Sequence, residues 1–186
     1  MIRRNPNGDL PVVHDSAFVD PTAILCGKVV VEAHVFIGPY AVIRADEVNE
    51  QGEMEPIVIG AGSNIQDGVV IHCKAGGGVN IGRNTSIAHR SIVHGPCTVG
   101  DNVFIGFNSV LFNCTLGDGS VVRHNSVVEG CHVPPGFYIP STTNVHSDAE
   151  LARIQPVTTD QAGFSESVAQ ANQQLVAGYK RIRNEF

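Results

Sequence analysis

The sequence predicts an all-β chain wound as a parallel β-helix of hexapeptide repeats, followed by an α-helical C-terminal extension. Three observations carry this: an aliphatic residue at every sixth position over a long stretch, turn-forming Gly, Asn and Asp at the hexad ends, and a change of period after residue 146.

From residue 17 the chain reads AFVDPT, AILCGK, VVVEAH, VFIGPY, AVIRAD, then after an interruption IVIGAG, SNIQDG, VVIHCK. A second interruption leads to VNIGRN, TSIAHR, SIVHGP, CTVGDN, VFIGFN, a five-residue SVLFN, and then CTLGDG, SVVRHN, SVVEGC. All 16 full hexads hold Val, Ile or Leu at the third position, from Val19 to Val128, which the background apolar content would give roughly once in a million. Each hexad is read as one short strand plus a turn, with three hexads to a triangular coil and the third-position side chains stacked inward as one core. Gly, Asn and Asp at the fourth to sixth positions turn the corners. A β-sandwich of short strands would not keep a six-residue register for so long.

In the tail, "SDAELARI" reads as a short helix with Ser147 or Asp148 as N-cap and Pro156 as its stop. A longer helix is expected from about Ser165, with Val168, Leu175, Val176, Tyr179 and Ile182 on one face. Asn172 falls inside that stripe, where a buried amide needs a partner. The chain is thus expected to divide into a β-helix, residues 1–146, and C-terminal helices packing on it, residues 147–186.

Apolar residues make up 42% and charged residues 16%, with 20 Gly and no Trp, as in an ordered, turn-rich chain. A net charge of −6 argues against a nucleic-acid partner, since phosphate binding depends on clustered Lys and Arg. The N-terminal "MIRRNPNGDLPVV" has basic residues without an apolar run behind them, and no window approaches the ~20 apolar residues of a membrane span. No membrane association and a cytoplasmic location are therefore expected. Five cysteines without a CxxC pair read as reduced packing residues. Cys73, beside His72, is a better core residue than ligand.

The run "IAHRSIVHGP" sets His89 and His94 five residues apart, which is not the helical spacing of a zinc-binding HExxH pair. Coil register gives another relation. His72 and His94 both occupy the fourth position of the third hexad of their coils, separated by one coil plus the insertion "AGGG", so they stack about one strand spacing, ~4.8 Å, apart. His89 lies in the neighbouring hexad, about 16 Å along the chain from His94, too far round to join them. Three imidazoles on one zinc need Zn–N distances of about 2.0–2.1 Å. A second chain's His89 can complete the site, and three chains about a threefold axis give three equivalent sites. Taken singly, each histidine also reads as an ordinary surface residue on a turn. Gln66 and Asp67 in "SNIQDG" lie one coil below His89, and Arg44 and Asp46 in "AVIRAD" can pair at a corner.

"AVIRADE", "SNIQDGVVIH", "IAHRSIVHGPCTVGDNVFIG" and "ANQQLVAGYK" together resemble the gamma-class carbonic anhydrases, trimeric zinc or iron enzymes on a left-handed β-helix; the handedness comes from that resemblance alone. The resemblance implies that His72, His89 and His94 are the metal ligands for Zn²⁺, with Fe²⁺ or Co²⁺ as substitutes, because imidazoles accept all three. It also implies that Arg44 and Asp46 form an interface pair, Arg44 also reaching Asp67, and that Gln66 and Asn64 orient the reacting groups. Glu47 becomes the acid beside bicarbonate, and Asn172 a pocket residue on the C-terminal helix. A metal held by three neutral imidazoles keeps its full charge and lowers the pKa of bound water from about 15.7 to about 7, so the implied activity is reversible hydration of carbon dioxide with a proton to export.

The sequence departs from the family at that last step. The best-known members carry a shuttle glutamate just after the first metal histidine, whereas this chain has "CKAGGG". A different insertion, "EVNEQGEMEP", offers Glu50, Glu53 and Glu55 as substitutes, or as ordinary surface acids. Competing functions on the same fold are acyl transfer with one histidine as general base, thioester hydrolysis at the same metal, and a metal-binding scaffold without activity.

Overall fold

The computed structural model describes residues 1–183. Short strands stack into three faces of a triangular solenoid of about seven turns, the chain visiting face A, face B and face C in rotation. Face A has eight strands and face B seven, every pairing in them parallel. Face C also has eight, its last being Gln155–Pro156, which returns antiparallel against Phe137–Ile139.

The core follows the hexads. Of the sixteen third-position residues all are buried except Val19, which is half-buried at the N-terminal end of the stack. Each buried Ile, Leu or Val contributes about 1.5–3 kcal/mol by leaving water, and three stacks, one from each face, meet in a single core. Leu111 of the five-residue repeat keeps its place in the face A stack, between Val93 and Val128. The coils run further than the hexads suggested: Ile2–Arg3 and Val12–Val13 add strands at one end, and Val133, Ile139 and Val145 add fully buried residues at the other.

The corners use two devices. Asn84, Asn102, Asn108, Asn113 and Asn125 all adopt positive φ, a region Asn tolerates better than other side chains because it hydrogen-bonds locally. Small hydroxyls fill the inside of the bends, where Ser63, Thr85, Ser91, Ser109 and Ser126 donate to carbonyls of the next coil at 2.7–2.8 Å. These bonds satisfy backbone acceptors that the turns would otherwise bury unpaired.

The tail corrects three expectations. Helix α1 is only Asp148–Leu151 and ends before Pro156, which lies in the returning strand. Glu150 caps it by accepting hydrogen bonds from the His146 N–H (2.8 Å) and the Ser147 hydroxyl (3.1 Å). Helix α2 is Thr159–Arg183 and begins earlier than Ser165. Its start is a capping box in which the Thr158 N–H donates to Gln161 Oε1 and the Gln161 N–H donates to Thr158 Oγ1. The packed seam runs through Ala169, Asn172 and Val176, while Leu175 and Ile182 stay 45% and 49% exposed.

Helix α2 lies along face C. Val176 packs on Phe18 and Phe36, with Tyr179 stacked on Phe18, and Val168 packs on the Ala88, Phe104 and Val121 group. Between those apolar ends the outward residues of face C are Asn64 and Ser86, and between Val168 and Val176 the helix carries Asn172. Among the described residues, no helix is long and apolar enough to cross a membrane.

Candidate metal centre

Strands Val42–Ala45, Val70–Cys73 and Ile92–Gly95 pair in register on face A, with His72 opposite Arg44 on one side and His94 on the other. Ile43, Ile71 and Val93 point into the core, so strand alternation sends Arg44, His72 and His94 outward in one column. His72 Nδ1 lies 3.4 Å from His94 Nε2, with the rings edge-on at 72°.

The remote nitrogens decide what that contact means. His72 Nε2 is 3.2 Å from Asp46 Oδ1, and His94 Nδ1 is 3.1 Å from the Gly95 carbonyl. A carboxylate and a carbonyl oxygen only accept, so each remote nitrogen donates its proton there. In the tautomer this selects, the two facing nitrogens present their lone pairs to a cation between them. Tetrahedral zinc, with Zn–N near 2.0–2.1 Å, sets its ligand nitrogens about 3.3–3.4 Å apart, so this donor pair fits a divalent metal.

Asp46 is held by Arg44 at 2.5 Å, and Glu47 Oε1 comes within 3.5 Å of His72 Nε2 from a half-exposed position. Cys73 turns inward and is fully buried; burial, with Glu47 and Asp46 nearby, pushes its thiol up to about 11. It is a neutral core residue.

Face C carries the second group. Asn64 is fully buried and donates to Ser86 Oγ at 2.7 Å, while Gln66 Nε2 donates to Asn64 Oδ1 at 2.9 Å. Gln66 is thereby fixed with its carbonyl end turned away from Asn64. His89 stands at the corner between faces C and A, where Arg90 takes φ 61° and donates its N–H to the Asp67 carbonyl at 3.0 Å. Asp67 Oδ2 approaches His89 Nδ1 at 3.6 Å. Gly38 leaves room for that carboxylate, since a Cβ there would meet Asp67 Oδ1 at 2.7 Å. Asn172 donates to the Val168 carbonyl of its own helix at 2.9 Å.

Arg44 does not reach Asp67 within the chain: its guanidinium is engaged by Asp46 on face A, and Asp67 faces His89 at the C–A corner. Nor do Glu50, Glu53 and Glu55 approach His72. Asn49 closes their loop on itself through Glu53, and Met54 anchors it in the core. Among the described residues, no three His, Cys, Asp or Glu side chains of one chain converge on a metal position. Two aromatic residues went unread in the sequence although the coil register marks them. Phe112 is paired with His94 one coil further on, and Phe107 lies 5.3 Å from the His89 ring; both are about two-fifths exposed.

The architecture is that of a hexapeptide-repeat protein, and the Bacterial transferase hexapeptide (six repeats) family matches residues 78–113. The chain is 37% identical over 197 residues to the carbonic anhydrase of Methanosarcina thermophila, an alignment covering 95% of this chain and 77% of that protein. It is 38% identical over 177 residues to the carboxysome assembly protein CcmM of Nostoc sp., covering 90% of this chain but only 31% of that longer protein. Among solved structures, a hexapeptide transferase family protein from Anaplasma phagocytophilum superimposes with a TM-score of 0.79 at 25% identity, over 96% of this chain and 98% of that one. The chain belongs to the gamma-class carbonic anhydrase family.

Proposed function

We propose that this protein is a metal-dependent carbonic anhydrase, interconverting carbon dioxide and bicarbonate at sites shared between neighbouring chains of a homotrimer. The observation that carries this is the His72–His94 pair, whose facing nitrogens are 3.4 Å apart and whose remote nitrogens are both held by acceptors. His72 and His94 of one chain and His89 of its neighbour would hold Zn²⁺, or Fe²⁺ or Co²⁺ in its place. Such an ion would supply a Lewis-acidic centre that makes water ionise near neutral pH.

The remaining roles belong to the chain's own groups. Asp46 and the Gly95 carbonyl keep the proton off the ligating nitrogens of His72 and His94, and Asp67 does the same for His89. Arg44 fixes Asp46. The Asn64–Gln66 amide chain is rigid and buried, so Gln66 can orient a reacting oxygen without reorganising. Glu47, half exposed beside His72, is placed to pass a proton between the site and solvent. Asn172 lies in the seam of α2 that covers this part of face C. Five cysteines without a CxxC pair suit a reducing compartment, the cytoplasm.

Anaerobic purification with metal quantification, followed by a stopped-flow carbon dioxide hydration assay, tests the proposal. The expected result is a trimer with about one metal per chain and measurable hydration. A fully loaded protein inert toward carbon dioxide would sink the enzymatic reading and leave a scaffold. Consumption of acetyl-coenzyme A by the metal-free protein would favour acyl transfer.

A further inference from the structure

Three of the five cysteines, dispersed in sequence, are gathered in space. Thr98 pairs with Thr115 and Thr115 with His132 along face B, which puts the preceding residues, Cys97, Cys114 and Cys131, in one column at the corner where each coil enters that face. Thr98 N–H donates to the Cys114 carbonyl and Thr115 N–H to the Cys131 carbonyl, confirming that register along the backbone. Neighbours in such a column have Cα atoms about 4.8 Å apart, within the range of about 4.4–6.8 Å that a disulfide spans. The sulfurs of Cys97 and Cys114 are already 3.6 Å apart, whereas Cys131 directs its thiol to the Val145 carbonyl at 3.7 Å. The column is not sealed. A shallow surface groove rimmed by Pro96, Asn113, Gly130 and His132 opens onto it, and Cys97 and Cys114 each keep 5% of their surface exposed.

We propose that Cys97 and Cys114 are a dithiol modification site, converted by a small peroxide entering this groove into a reversible disulfide between successive coils. The Cys97 thiolate attacks one peroxide oxygen, an S–O bond forms as the O–O bond breaks, and the departing oxygen leaves as water. The Cys114 sulfur then attacks the resulting sulfenic acid, the S–S bond forms, and hydroxide leaves with the Cys114 proton as a second water. Two thiols are oxidised and one peroxide is reduced to two waters, with two electrons transferred. The contact between the two thiols holds Cys97 below its usual range, while the same contact and burial hold Cys114 above it, a direction that favours Cys97 as the attacking sulfur. The linked coils are those reached directly from His94 and from Phe112, so oxidation ties the His94 turn to the next turn along the solenoid.

The test uses the full chain, reduced and then exposed to hydrogen peroxide, with free thiols alkylated before intact-mass and peptide analysis. The expected product is lighter by about 2 Da before alkylation, carries the Cys97–Cys114 peptide cross-link, and returns to the reduced mass with dithiothreitol. Cys131→Ala should behave identically, and Cys114→Ala should stop at modified Cys97 without a cross-link. If Cys114→Ala does not fold, the site of the link in the unaltered protein and in Cys131→Ala decides alone. Linkage of Cys114 to Cys131, or oxygen addition to these thiols with no cross-link, would overturn the proposal.

Discussion

His89 and Asp67 face one another across one coil at the same corner, with Nδ1 3.6 Å from Oδ2. A carboxylate on that side favours the tautomer with the proton on Nδ1 and leaves the Nε2 lone pair directed outward, toward whatever packs against the corner. Asp67→Asn keeps the shape but removes the charge that selects the tautomer. It is expected to weaken metal binding by about 10- to 100-fold, read by competition with a chelating dye, with the circular dichroism spectrum unchanged. Equal affinity in the two proteins would mean that Asp67 serves the corner and not the ligand.

If the site is shared between chains, two different ligand variants should repair each other. His89→Ala and His94→Ala should each lose metal while the solenoid stays folded, because Ile87 and Val93 carry the core at those strands. Refolded together in equal amounts, they should regain about a quarter of the sites, the share of neighbouring pairs that join an intact His72–His94 face to an intact His89 corner. Loss of metal in both variants with no recovery from mixed trimers would place His89 and His94 in a site within one chain.

The hexad register was legible because each third-position side chain points into one narrow core, which tolerates only Val, Ile or Leu and admits no slip. The His72–His94 relation followed from the same counting once "AGGG" was recognised as an insertion. The coils after Cys131 were not legible, because "VPPG" and "PSTT" replace the Gly-Asp and Asn corners of the earlier repeats. The start of helix α2 lies before the apolar stripe because it depends on side chains of Thr158 and Gln161 rather than on apolar spacing. Leu175 and Ile182 share the stripe yet stay exposed, because apolar spacing does not show which edge of the stripe meets face C. The Cys97–Cys114 contact escaped because pairing across coils depends on the five-residue repeat, which shortens that coil by one residue.

A titrating histidine away from the site concerns stability. His124 stacks on Phe107 at 4.4 Å and accepts the Phe107 N–H on Nδ1 at 3.0 Å, which requires a neutral ring. Burial, with Arg123 beside it, lowers its pKa from the ordinary 6.5. The unfolded chain therefore takes up the proton first as pH falls, so the contribution is present above about 6.5 and is lost as pH drops through and below that value. Urea midpoints measured from pH 7.5 to 5.5 should decline, and His124→Gln should flatten part of the decline. Identical slopes in both proteins would assign the pH dependence to other groups.

Proton export is where the chain differs from a family member with an acidic loop after its first histidine. Glu47 is the carboxylate of that region that both approaches His72, at 3.5 Å, and remains half exposed, whereas Glu53 is tied to Asn49 and the loop holding Glu50 and Glu55 closes away from the histidines. If export limits turnover, the unmodified protein should speed up as imidazole buffer is added, because the buffer does the work of the missing acid. Glu47→Gln should lower kcat roughly tenfold or more at low buffer, leave kcat/KM for carbon dioxide nearly intact, and be rescued by buffer, since hydration itself is untouched. Gln at positions 50, 53 or 55 should change little. A fall in kcat/KM with Glu47→Gln that buffer cannot restore would instead make Glu47 a substrate-binding residue, and sensitivity confined to Glu50, Glu53 or Glu55 would move the relay into the loop.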